Sequence, residues 1–160
     1  MNKKFANDLK TGEIGEQIVV NYLQKEEHVV QIIDVRDDKK FQVDDIDYLV
    51  YTDNFIIFPI EVKTDTMAHR TGNIAYEVYS NKHYQTQGCL EKTKAKFVYY
   101  YLVETKVLYN INVKKLREYV HSNYNESQLR NMGDYALGYL IKIKELLNKN
   151  IMKEVVTNEV

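Results

Sequence analysis

The sequence predicts a mixed α/β domain with a central β-sheet flanked by helices. Three observations carry this. A helical stripe opens the chain, with Leu9, Glu13, Glu16, Val20 and Leu23 recurring at spacings of three and four. A succession of strand-length apolar runs follows, one of them with two unlike faces. Two later runs, joined by a tight connection, read as an antiparallel hairpin.

Each element has its own reason. Residues 8–27 form the opening helix, and two carboxylates on its core-facing stripe call for an explanation. Residues 29–35 (VVQIIDV) read as a strand and RDDKKFQVDD as a polar link. Residues 46–52 (IDYLVYT) make a second strand, closed by the turn signal Asp53-Asn54. In residues 55–63 (FIIFPIEVK), Ile56, Phe58, Ile60 and Val62 share an apolar face. Phe55, Ile57, Pro59, Glu61 and Lys63 take the other. Pro59 cannot donate to a ladder, so the strand should be irregular or at an edge there.

Residues 74–79 are a further strand, and 80–94 are polar, helix or loop. Residues 96–103 and 106–113 form the hairpin, turning around Glu104 and Thr105. Asn112 is placed to cap a short helix through about His121. Residues 135–144 are extended. One domain over residues 1–145 is expected, with 146–160 a short C-terminal helix or tail. All strands are expected in one sheet.

Composition excludes several classes. At 160 residues the chain buries a core without disulfide or metal staples. The single Cys89 rules out an internal disulfide framework and fits a reduced, cytoplasmic thiol. The four histidines have no metal-ligand spacing, and neither an H-E-x-x-H nor a Walker-type loop occurs. No apolar run is long enough for a transmembrane helix, so no membrane partner is expected. A net charge of -1, from 22 basic and 23 acidic residues, excludes nucleic-acid binding by bulk charge. The charge is nevertheless split. Residues 1–80 are net acidic and residues 81–160 net basic.

One constellation carries chemistry. Glu61 and Lys63 sit two apart on a strand and share its face. The turn at Asp53-Asn54 sets Asp47 opposite a position within a residue of Glu61. Two carboxylates brought together repel, and one pKa rises unless a cation lies between them. A hard divalent cation such as Mg²⁺, with Mn²⁺ as an alternative, resolves the conflict. Lys63 would orient or deprotonate a water, or stabilise charge developing on phosphate. Glu16 would complete the site through a water or a second metal. Asp45, on the face of Asp47, is the substitute for it. After the acidic strands come Lys82, Lys92, Lys94 and Lys96, with Tyr84 and Gln87 in the same stretch. They are the expected contacts to a nucleic-acid backbone. The Tyr-rich run 99–101 is expected in the core and sheet surface rather than under bases.

Asp47, followed by Glu61-Val62-Lys63 after a helix bearing Thr11-Gly12-Glu13-Ile14-Gly15-Glu16, resembles the signature of the PD-(D/E)XK nuclease superfamily. Small phage-type nucleases and archaeal Holliday-junction resolvases are the members it resembles. The resemblance spans roughly residues 8–115, and Ile46 stands where the motif usually has Pro. It implies a restriction-endonuclease-like fold and Mg²⁺-dependent cleavage of DNA, double-stranded or branched, by a possible homodimer. By the same resemblance Asp47 is the central metal ligand, Glu61 the second and the Val62 carbonyl a third. Lys63 then handles the water, Glu16 supports metal or water, and Glu77 is a further candidate. The alternative is a nuclease-fold module without catalysis that binds nucleic acid or a protein partner.

Overall fold

A computed structural model describes residues 3–155, with side chains from Lys10 onward. The opening helix α1 runs Lys3–Lys25 and buries Val19 and Leu23 completely or nearly so; of the expected stripe, Glu13 is instead exposed and Glu16 and Val20 are half-buried, because the buried face runs through Gly15, Val19 and Leu23. The Leu9 side chain lies outside the described residues. The chain continues through β1 (Val29–Asp34), α2 (Lys39–Gln42), β2 (Tyr48–Thr52) and β3 (Ile57–Asp65). Then come α3 (Ala68–Thr71), β4 (Asn73–Asn81), β5 (Thr86–Gln87) and α4 (Cys89–Lys92). The hairpin is β6 (Phe97–Leu102) and β7 (Val107–Asn112), followed by α5 (Val113–Asn123). A 3-10 turn at Glu126–Gln128 leads to β8 (Arg130–Asn131), β9 (Leu137–Lys142), α6 (Ile143–Asn148) and β10 (Met152–Val155).

The main sheet is mixed, with six strands in the order β1-β2-β3-β6-β7-β10. Every neighbouring pair is antiparallel except β3 and β6, which run parallel at the centre. A parallel pair needs a crossover. Residues 66–96 provide it, and their strand β4 goes into a separate layer. There β5, β4, β9 and β8 form a second, antiparallel sheet of four strands. The expectation of one sheet is thereby corrected. Residues 74–79 are strand as predicted, whereas of 135–144 only Leu137–Lys142 is strand and Ile143 already opens α6; the two strands pair with each other.

Alternation along the central strands splits the core in two. On one face Tyr48, Val50, Ile60, Tyr99 and Tyr101 pack under Val19 and Leu23 of α1. On the other, Val98, Tyr100 and Leu102 meet Ile74, Tyr76 and Ile141 of the second sheet and Leu116 and Leu146 of α5 and α6. Tyr99, Tyr100 and Tyr101 are each 4% exposed, so the Tyr-rich strand is core.

Three local expectations have clear outcomes. The Asn112 side chain accepts from the Lys115 N–H at 3.0 Å, the predicted cap of α5. Pro59 lies in an interior strand, yet its carbonyl accepts from Lys96 N at 2.8 Å just before the β3–β6 ladder begins. A strand residue's N–H and C=O point to the same side. The expected edge is thereby corrected: β3 is flanked by β2 and β6, and the donor Pro59 lacks falls on the β6 side just before that ladder starts. Past α6, residues 152–155 add the edge strand β10 beside β7 where a helix or tail was expected. Residues 156–160 lie outside the described part. Among the described residues no helix is long and apolar enough to cross a membrane.

Candidate functional site

The site grows from the register of β2 and β3. Tyr48 pairs with Ile60, which sets Asp47, one step earlier, opposite Glu61. The pairing is pinned by backbone and side chain together. Asp47 N donates to the Ile60 carbonyl at 2.9 Å, and Val62 N donates to Asp47 Oδ2 at 2.8 Å. The Val62 N–H is thus turned to the carboxylate that its carbonyl was expected to join at a metal.

Glu61 is 6% exposed, an uncommon state for a carboxylate. Lys63 Nζ lies 3.2 Å from its Oε1. Cys89 Sγ, brought in by the start of α4, lies 3.4 Å from the same oxygen. Burial pushes the Glu61 carboxyl up to about 7; the Lys63 ammonium opposes this and the Asp47 charge adds to it. Burial also raises Asp47, against the Val62 N–H and the Lys63 and Arg36 charges. Burial works against the charge on Lys63, but the Glu61 carboxylate beside it outweighs this and the pKa rises. Cys89 is itself pushed up to about 12 by burial, so the thiol stays neutral. The carboxylate is what holds the lysine charged.

Lys63 and Thr64 separate two clefts. One of about 150 Å³ is lined by Glu77, Cys89, Leu90 and Tyr100. The other, about 320 Å³, is lined by Thr11, Gly12, Glu16, Val62 and Thr66. Glu77 therefore stands across a cleft from Lys63, and Glu16 across the other. Glu16 does not share the face of Glu61. It forms an ion pair with Arg36, whose Nη2 and Nε also hold Asp34 at 2.6 and 3.0 Å. The guanidinium lies 5.2 Å from the Tyr48 ring centroid. Burial raises the Glu16 carboxyl, Arg36 lowers it and the Asp47 charge raises it again. Glu16 is thus within electrostatic reach of Asp47 but already engaged. Among the described residues, no group of three or more His, Cys, Asp or Glu side chains stands together as a metal cage.

The other candidates are placed differently from the pair. Asp45 pairs with Lys92 Nζ at 3.0 Å, and Asp44 with Lys94 Nζ at 2.9 Å. Lys94 N donates to the Asp44 carbonyl at 2.9 Å, and the Thr93 hydroxyl to that of Asp45 at 2.6 Å. These two lysines thus clamp the segment before β6 onto the segment before β2. Lys96 Nζ lies 5.7 and 5.3 Å from the centroids of the Phe58 and Phe97 rings. Lys82, Tyr84 and Gln87 sit away from the clefts, in the outer part of the β4–β5 hairpin.

Two residues were not singled out as functional from sequence. Arg36 sat in the polar link, although its spacing from Asp34 allows a local fork. Cys89 reads in the sequence as a reduced thiol, and no sequence signal brings it to Glu61.

No family model and no curated protein matches this sequence. Among solved structures, a bacterial homing endonuclease aligns with a TM-score of 0.47 and 13% identity over 94% of this chain and 75% of that one.

Proposed function

We propose that the protein is a metal-dependent endonuclease of the PD-(D/E)XK type that hydrolyses phosphodiester bonds in DNA. One observation carries this. Asp47 and Glu61 face each other across β2 and β3, both with raised pKa, and Lys63 Nζ lies 3.2 Å from Glu61. A buried carboxyl and a half-buried one set opposite each other, both with raised pKa, make a costly arrangement in the absence of a cation. Mg²⁺ characteristically uses one or two carboxylates, water and substrate phosphate rather than a full protein cage, and this donor set fits that habit. Asp47, Glu61 and the Val62 carbonyl would hold Mg²⁺ or Mn²⁺, which would supply a water of lowered pKa and polarise a phosphate oxygen.

The chain's own residues then have separable tasks. Asp47 is fixed by the Val62 N–H, so its free oxygen has one direction to offer. Lys63 keeps its proton. Its role is to stabilise charge developing on the phosphate, not to take a proton from water. Arg36 holds Glu16 beside Asp47, where it can orient a water. Cutting both strands calls for two sites, hence a homodimer on double-stranded or branched DNA.

The test is cleavage of linear, branched and single-stranded DNA with Mg²⁺, using wild type, Asp47→Ala and Lys63→Ala. Wild type should cut, and each variant should lose about 100-fold or more. Equal behaviour of all three proteins rejects the proposal. A wild type that binds and never cuts leaves the binding-module alternative in its place.

A further inference from the structure

The β4–β5 hairpin runs on from the Lys63 cleft to a sheet end that the proposed chemistry does not use. Glu77 lines that cleft. Gly88 packs so tightly on Glu77 that a Cβ there would lie 2.1 Å from the Glu77 carbonyl oxygen. The two strands therefore leave the cleft together. Between Glu77 and Asn81 the strand advances about 13 Å, at roughly 3.3 Å per residue.

At the far end two tyrosine rings stand in solvent. Tyr84 is 83% exposed and Tyr135 is 60% exposed. They are held on an ordered scaffold. The Asn81 side chain accepts from His83 N and Tyr84 N at 3.0 and 3.3 Å, which sets the tip. Lys82 N donates to the Tyr135 carbonyl at 2.9 Å, joining the tip to the β8–β9 turn. Lys82 Nζ donates to Asn131 Oδ1 at 3.0 Å, next to the exposed Arg130. The His83 ring lies edge-on to Tyr135 with centroids 6.3 Å apart. Asp134 is the acidic residue of this turn, against the permanent cations Lys82 and Arg130.

Exposed aromatic faces flanked by cations match the chemistry of unstacked bases on a phosphate backbone. A blunt duplex hides all but its two terminal base faces and has little use for them. We infer that Tyr84 and Tyr135 form a stacking platform for unpaired bases, with Lys82 and Arg130 on the adjoining phosphates. The substrate class is then nucleic acid carrying a single-stranded part, such as an overhang, flap or open branch. The link to cleavage rests on the nuclease proposal.

The experiment uses the full chain with metal chelated and three labelled oligonucleotides: a single strand, a blunt duplex and a duplex with an overhang. A 2-aminopurine in the overhang reports stacking. Wild type should prefer the single strand and the overhang to the blunt duplex and should quench the probe. The Tyr84→Ala/Tyr135→Ala pair should lose about tenfold or more on those two substrates, with duplex affinity unchanged. The Tyr84→Phe/Tyr135→Phe pair should keep wild-type affinity and quenching. Unchanged affinity in the alanine pair overturns the inference, as does an equal loss in the phenylalanine pair. Absence of binding to all three also overturns it and leaves a protein-docking surface as the reading. Because binding is measured without metal, the two proposals fail separately. Stacking without cleavage in Mg²⁺ removes the nuclease proposal alone. Cleavage with unchanged binding in the alanine pair removes the platform alone.

Discussion

At Glu61 burial and charge are in conflict. Its carboxyl is 6% exposed and raised from 4.5 to about 7, with burial the leading cause. The folded chain holds this proton more tightly than the unfolded chain. The associated stability is therefore fully present below the unfolded value near 4.5 and is lost as pH rises through about 7. At about 1.4 kcal/mol per pH unit, the loss is on the order of 3 kcal/mol, an upper figure because Lys63 remains partnered. Glu61→Gln should be more stable than wild type at pH 8 by up to that amount and equal to it near pH 4. Urea unfolding at the two pH values measures this. The same variant should not be stabilised by added Mg²⁺, whereas wild type should be. A site that costs stability until its ligand arrives is the usual trade between activity and folding.

Two contacts between elements position the site. Helix α1 approaches β3 at Gly15, where a Cβ would lie 2.1 Å from Thr64 Oγ1. That hydroxyl is buried without a hydrogen-bond partner. Gly15→Ala should cost about 1–3 kcal/mol by pushing the helix off the strand. In a Thr64→Ala background the cost should shrink, a non-additivity that a double-mutant cycle in urea resolves. Gly15 adjoins Glu16 and Thr64 adjoins Lys63, so cleavage should fall with stability in the single variant.

The second contact is the clamp of Lys92 and Lys94 on Asp45 and Asp44, two pairs at 3.0 and 2.9 Å. Partly exposed pairs of this kind contribute about 0–1 kcal/mol each, so they break readily for a better anion. Asp44→Asn/Asp45→Asn frees both lysines. DNA affinity should rise, and the slope of log K against log salt should steepen by up to about two. Unchanged salt dependence would show that neither lysine meets phosphate.

At the scale of the molecule, what could be read from sequence was whatever is local. The β2–β3 hairpin turns within a few residues, so its register, and with it the Asp47–Glu61 pair, followed from turn chemistry and alternation. The Asn112 cap and the β6–β7 hairpin are local in the same way. The second sheet was not legible, because the pairing of β4 with β9 joins segments about sixty residues apart. The strands β5 and β8 have two residues each, too few to show a period. β10 reads MKEV, with charges in the middle, and is a strand because β7 offers it an edge. The lysines after β5 looked like free phosphate contacts. Their carboxylate partners lie far back along the chain, and only the fold reveals them.

The parallel meeting of β3 and β6 also sets the order in which the molecule can be assembled. The hairpin carrying Asp47 and Glu61 can close as soon as residue 65 has been made, because its loop is short. The wall of the cleft that carries Glu77 and Cys89 belongs to the crossover. It can settle only after β6 has found β3 across a long loop, a slow and entropically expensive closure. A nascent chain therefore holds its acidic pair well before it holds the cleft beside it.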